Sequence, residues 1–340
     1  MWAFHTMRSN KGQMSSSFSY IFALIIGSIM FMFFVGFAYQ YLNFAGSLSA
    51  AGLVTSLNDE FAVFSASDSA EKTLEFSSRL SFRVYEGKLT SEGQSKTIDH
   101  VIFAPFEIDG ENIFLATKSF EIPYRVGNLF YIADGKTMYV VVYDSSSEEV
   151  IQNLQSSYNS LPSSFPVQVV STTQLSSDMQ TLYELTASYE NVRFVFFSST
   201  KDYEDKIAQV FPNYEILEVS SSLEDYSAGE IVYPDGEEVV YIGYPLLIGA
   251  IVSGDAYMYT YNLNKVMEKL SRLTSVYYDK TKFIAAQLPN CDYAAMKTAL
   301  NNYKSIAGSE ELSSYSSFLA KLELVESANK GLGGECPEIY

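Results

Sequence analysis

Met138–Asp144 reads MYVVVYD, an unbroken apolar and β-branched run that ends in a cluster of small polar residues. A run of this length bounded by turn residues is the pattern of a strand buried on both faces, and such strands belong to parallel sheets covered by helices. The sequence downstream keeps that rhythm. Val150, Ile151, Leu154 and Tyr158 share one helical face, with Ser146 and Glu149 spaced as a capping box. The strand Val167–Val170 comes next, then a helix from about Asp178 with Met179, Leu182 and Leu185 inward, then the strand Val192–Phe197. Tyr203, Ile207, Val210 and Phe211 form a third stripe, stopped by Pro212. Glu215–Val219, Glu230–Tyr233 and Val239–Tyr244 read as further strands, the last two joined by an Asp235-Gly236 hairpin turn. Strand and helix in strict turn predict an α/β domain over 138–261, built on a mostly parallel sheet.

Upstream, the period is two. Leu74, Phe76, Leu80, Phe82 and Val84 alternate with Glu75, Ser77, Arg79, Ser81 and Arg83, as in a half-buried strand. Ile98–Phe103 continues the pattern, and Asp109-Gly110 and Asp134-Gly135 stand between apolar runs as hairpin signals. An antiparallel β region over 73–137 is the expectation. Downstream, PLLIGAIVSGDAYMYT (Pro245–Thr260) reads as one or two buried strands. Residues 262–340 read as helices: one from Asn262 to Leu288 ended by Pro289, then Tyr293–Ile306 and Leu312–Asn329, closed by glycines.

Ahead of all this lies Phe18–Tyr41, FSYIFALIIGSIMFMFFVGFAYQY, without a charged residue. A helix needs about 20 apolar residues to cross a bilayer, so 18–41 is expected to be a transmembrane helix that contacts lipid. Arg8 and Lys11 precede it, whereas the first charges after it are Asp59 and Glu60. Basic flanks stay inside, which places residues 1–17 in the cytoplasm and the bulk of the chain outside the cytoplasmic membrane. The apolar core is longer than that of a cleaved signal peptide. Residues 42–72 are small and helix-compatible and read as a stalk.

Lys11-Gly12-Gln13-Met14-Ser15-Ser16-Ser17, directly before the apolar run, resembles the class III signal of archaeal type IV pilins and pilin-like proteins. The resemblance implies cleavage between Gly12 and Gln13, with the hydrophobic helix kept on the mature chain. The family usually has Glu at its fifth mature position, where it helps to register neighbouring subunits; this sequence has Ser17. A plain signal anchor with an incidental Lys-Gly-Gln explains the same letters. The chain as a whole resembles single-span exported proteins of small-genome archaea, through this N-terminus, the α/β middle and the Cys-Pro near its end. That likeness brings no activity with it.

The chain carries 22 basic and 40 acidic residues, a formal net charge of −18. An acidic exterior repels phosphate backbones, which argues against nucleic acid as a partner. Cys291 and Cys336 are the two cysteines; on the outer side they are expected to form a disulfide, two buried thiols being the alternative. Neither has the spacing of a metal site, His5 and His100 are the two imidazoles, and no cofactor is implied.

Ligands of parallel α/β sheets bind beyond the carboxyl ends of the strands. Asp144, Ser146, Glu148, Ser171 and Ser198 stand there and are the candidate ligand-binding residues. Helix capping explains the same Ser and Asp residues without a ligand. Asp144-Ser145-Ser146-Ser147-Glu148 resembles the metal-adhesion motif of von Willebrand A domains at Asp144 and Ser146, with Glu148 in place of the second Ser. No residue is assigned a catalytic role. A non-enzymatic surface protein, binding envelope partners or assembling with itself in a pilus-like structure, is the first expectation. The alternatives are a solute- or signal-binding receptor module and an exported metal-dependent hydrolase.

Overall fold

The computed structural model describes residues 24–32, 34–35, 52, 55–91, 93–155, 160–309, 312, 314–334 and 336–340. The chain divides into two compact units, Val54–Ser91 with Ser95–Tyr340, and Met1–Leu53 with Glu92–Gln94. In the smaller unit, 24–32 and 34–35 are helical. The rest of the expected span, and the Gly12-Gln13 cleavage position, lie outside the described residues. Among the described residues no helix is long and apolar enough to cross a membrane.

The larger unit is mixed α/β, with two six-stranded sheets and helices gathered toward the C-terminus. Its first sheet comprises β1 (Ser69–Tyr85), β2 (Lys88–Ser91), β3 (Gln94–Thr97), β4 (Val101–Phe103), β5 (Ile108–Glu121) and β6 (Arg125–Asp134). The spatial order is β3-β2-β1-β5-β6-β4. β1, β5 and β6 pair antiparallel, and β4 returns parallel to β6. Two expected hairpins are corrected here. Asp109 and Gly110 lie inside β5, paired with Ser81 and Leu80 beside a bulge in β1; the extra residues of the bulge absorb the irregularity that the Asp-Gly pair signals. Asp134-Gly135 is a link from one sheet to the other, because β6 pairs with β5 and β4 while the next strand, Thr137–Tyr143, pairs with Val167–Ser171 and Asn191–Phe196.

Of the expected stalk, 42–51, 53 and 54 lie outside the described residues, and 55–72 pack within the larger unit. Residues 55–64 form a helix, α1, that lies against the first sheet. Leu57, Phe61 and Phe64 are buried, and the Phe61 ring meets His100 and Phe130.

The second sheet has the order β12-β11-β10-β9-β7-β8. β7 (Thr137–Tyr143), β8 (Val167–Ser171), β9 (Asn191–Phe196) and β10 (Tyr214–Ser220) run parallel. They are interleaved with α2 (Glu148–Gln155), α3 (Thr172–Ser177), α4 (Met179–Thr186) and α5 (Glu204–Val210). Leu182 and Ile207 are buried as the stripes predict, but Leu185 is 60 % exposed. The antiparallel hairpin of β11 (Ala228–Val232) and β12 (Glu238–Ile242) closes the sheet, with Gly236 at φ +85° in its turn.

Pro245–Thr260 is helical, not strand. It forms α6 (Tyr244–Val252) and the start of α7 (Ala256–Gln287). Every residue of α6 except Pro245 is buried, because the helix lies between the two sheets and touches β4, β5 and β6 of one and β11 and β12 of the other. A helix enclosed on all sides has no polar face, so its period vanishes and it reads like a buried strand. α7, α8 (Ala294–Ala307) and α9 (Tyr315–Lys330) pack in succession at the C-terminus. Cys291 and Cys336 are bonded, with Cα atoms 5.7 Å apart. Beyond the bond, the tail is held by Asn329, whose Oδ1 accepts from Ile339 N–H at 2.7 Å, and by Lys280, which donates to the Ile339 carbonyl at 2.6 Å.

Candidate functional site

The expected strand-end residues do converge, since β7 and β8 are neighbours and Tyr143 pairs with Ser171. Their oxygens, however, serve the backbone. Asp144 Oδ1 accepts from Ser146 N–H (2.9 Å) and Oγ–H (2.6 Å) and from Ser147 N–H and Oγ–H (both 3.1 Å). Burial pushes this carboxyl up, yet the serine donors together outweigh it, and its pKa lies below the ordinary value. Asp144 thus organises the turn into α2, in place of the expected Ser146–Glu149 box. Ser171 caps α3 through a reciprocal pair with Gln174 (3.2 and 2.9 Å). Ser198 Oγ is shut away from solvent and bonded to nothing among the described residues. Ser146 and Glu148 are exposed. Among the described residues no group of His, Cys, Asp and Glu comes together that could hold a metal ion. His100 is wedged between Phe61 and Phe130, and burial, then Lys269, lowers its pKa.

At the opposite, amino ends of the parallel strands the structure gathers charges that no sequence motif announces. A cleft of about 370 Å³ is lined by Asp109, Asp134, Lys136, Glu190, Arg193 and Glu215, among others. Arg79 grips Asp109 with two bonds (2.7 and 2.8 Å), and Lys136 bridges Asp109 (2.8 Å) and Glu190 (3.2 Å). These bonds hold the Asp109 carboxyl down at about 2, Arg79 contributing most and Lys136 next. Asp134 goes the other way. Burial raises it, against the N–H groups of Lys136 and Asp109 that point at its oxygens. Carboxyls displaced in opposite directions are what acid–base pairs require, but here Asp109, Lys136 and Arg79 each have a charged partner. The network joins β1 and β5 of one sheet to the β6–β7 link and the approach to β9. Beside it, the buried Arg193 pairs with Glu215 (2.5 Å) and donates to the carbonyls of Ile251, Ser253 and Gly254, fixing the α6–α7 turn to β9. This cleft is a clamp between layers.

A larger groove, of about 760 Å³, opens between the β11–β12 hairpin and the first turns of α7. Its carboxylates are Glu230 on β11, Asp235 and Glu237 in the turn, Glu238 on β12, and Asp255, which caps α7 by accepting from Met258 N–H at 2.7 Å. Among the described residues, no lysine, arginine or histidine lines it. Burial first, and then Glu238 close by, raise the pKa of Glu230. Tyr259 donates to the Val240 carbonyl at 3.0 Å, covering part of the outer edge of β12. The Asp235-Gly236 turn is legible in the sequence. Its opposite wall is not, because that wall is the helix start that reads as strand. Compared with family models, curated proteins and solved structures, the chain matches none.

Proposed function

We propose that this chain is a single-span, membrane-anchored protein whose acidic bulk lies outside the cytoplasmic membrane and acts there as an interaction or envelope-assembly component rather than as a catalyst. The observation that carries the reading is the Cys291–Cys336 bond, since such bonds persist in oxidising compartments and are rare in the cytosol. The uncharged stretch 18–41, with basic residues only ahead of it, supplies the anchor and its orientation. The strand-end oxygens of Asp144 and Ser171 are spent on caps, which weighs against a receptor crevice at that end and moves attention to the groove beside α7.

Alkaline carbonate extraction tests the anchor. The full chain is expected to stay with the lipid, and its recovery intact in the aqueous fraction would contradict the reading. The Lys11-Gly12-Gln13 context favours a pilin-like version in which prepilin peptidase cuts after Gly12. N-terminal sequencing of the membrane-bound protein then begins at Gln13; a start at or before Gly12 removes that version and leaves the anchor standing.

A further inference from the structure

We infer that the groove between the β11–β12 hairpin and α7, with the exposed rings of Tyr85, Phe106 and Tyr257 at its rim, docks a lysine- or arginine-bearing segment of another protein. The inference rests on the exterior being an interaction module and names the partner's chemistry.

Tyr257 is 54 % exposed, Phe106 46 % and Tyr85 41 %. Singly, such residues are ordinary on a surface; a contiguous group is not. Here the end of β1, the β4–β5 loop and the first turn of α7 bring their rings together. Tyr85 meets Phe106 edge-to-face at 6.1 Å and stacks on Tyr257 at 6.0 Å. Burying amphipathic rings of this kind supplies much of the energy at protein interfaces. Tyr257 is held in place by Glu86, whose Oε1 accepts its hydroxyl at 2.6 Å. Glu86 itself sits at φ +46°, a left-handed conformation that side chains other than glycine's rarely adopt.

Tyr257 also lines the groove, so aromatic rim and acidic trough are one surface. Among the described residues, none of the groove's carboxylates enters an ion pair. Charge complementarity therefore specifies a cation. The chain already shows how a ring here receives one, with the Arg83 guanidinium 5.1 Å above Phe106. A second copy is a poor occupant, since two such faces carry the same sign on a chain of net charge −18. Tyr259 occupies the Val240 carbonyl, so a partner cannot add there as a further strand, and recognition falls to side chains. A trough of about 760 Å³ that reaches Tyr257, on which Tyr85 stacks with Phe106 behind it, takes several side chains of an extended segment.

The test uses the full chain in uncharged lipid nanodiscs. Its probe is a fluorescent peptide of alternating lysine and glycine, with a glutamate–glycine peptide as control, read by anisotropy at low and high salt. The lysine peptide is expected to bind saturably and the glutamate peptide not at all. Affinity should fall about tenfold or more on Tyr257→Ala, likewise on the double change Glu230→Gln with Glu238→Gln, and also when salt rises. Glu230 and Glu238 are diagonal neighbours across the hairpin, and burial first and then Glu238 raise the pKa of Glu230, so the glutamine pair removes a repulsion, and loss of binding in it does not come from unfolding. Equal binding of the two peptides, unchanged affinity in both variants, or no binding at millimolar peptide overturns the inference. So does a concentration-dependent dimer that Tyr257→Ala abolishes, which would assign the surface to a second copy. None of these failures touches the membrane anchor, which carbonate extraction scores separately.

Discussion

Buried polar groups in this molecule are satisfied one residue at a time, and tyrosine does much of it. The hydroxyls of Tyr131, Tyr233 and Tyr303 donate to the carbonyls of Pro245, Ala250 and Ile122 at 2.8, 2.7 and 2.9 Å. A chain with 26 Tyr can therefore fill its core with large rings and still give partners to backbone carbonyls of α6 and of the turn between β5 and β6. Partners of this kind are not legible in a sequence, because each joins residues far apart in the chain. The same holds for Asp109, whose partners Arg79 and Lys136 lie on other elements. Its carboxyl titrates at about 2 in the fold, against an ordinary 3.8. Between those values the unfolded chain binds more protons, so the contribution to stability is complete above about pH 4 and disappears as pH falls through about 2. Asp109→Asn is expected to cost less than about 1 kcal/mol at pH 7, solvent screening the pair. Thermal melts of the two proteins should converge as pH is lowered from 5 to 2; a gap that stays constant would exclude the ion pairs as its source.

Among the elements, the short buried strands bounded by turn residues and the helix with a polar face are readable, and the helix enclosed on every side is not. β7 and β9 stand where their apolar runs predict, and α7 follows its stripe through the buried Val266 and Leu270. α6 was misread because enclosure between two sheets removes the alternation that tells helix from strand. A start signal was nevertheless present, Gly243 at φ +77° followed by Pro245 in the first turn. The packing of α6 gives a direct test. A Cβ on Gly249 would lie 2.8 Å from the Phe103 ring, which is fully buried and stacked on Tyr131. Gly249→Ala should thus destabilise by about 1–3 kcal/mol, reversing the gain of about 1 kcal/mol that alanine brings to an ordinary helix. Adding Phe103→Leu should restore most of the loss in chemical denaturation. If Gly249→Ala alone stabilises the protein, the helix does not approach β4 as described.

At the scale of the molecule, two sheets and a C-terminal helical group are drawn together by one buried helix and closed by one disulfide. The layering of antiparallel β, parallel α/β and helices was legible from changes of period along the chain. What was hidden is that α6 and α7 contact both sheets. The candidate strand-end residues and the capping explanation for them were both legible, and Asp144 and Ser171 do serve helix starts, whereas the acidic groove exists only once α7 stands opposite β12. The Cys291–Cys336 bond spans 45 residues, and the chain-entropy estimate for such a loop is about 4 kcal/mol. Reduction should lower the denaturation midpoint by a corresponding amount; no change would mean that α9 and the tail hold without it. The same cysteines report the compartment most directly. In intact cells, a membrane-impermeant maleimide should leave Cys291 and Cys336 unlabelled until an impermeant reductant is added outside, and should then label both. Labelling without reductant, and only by a maleimide that enters the cytosol, would place the bulk of the chain inside and contradict the account.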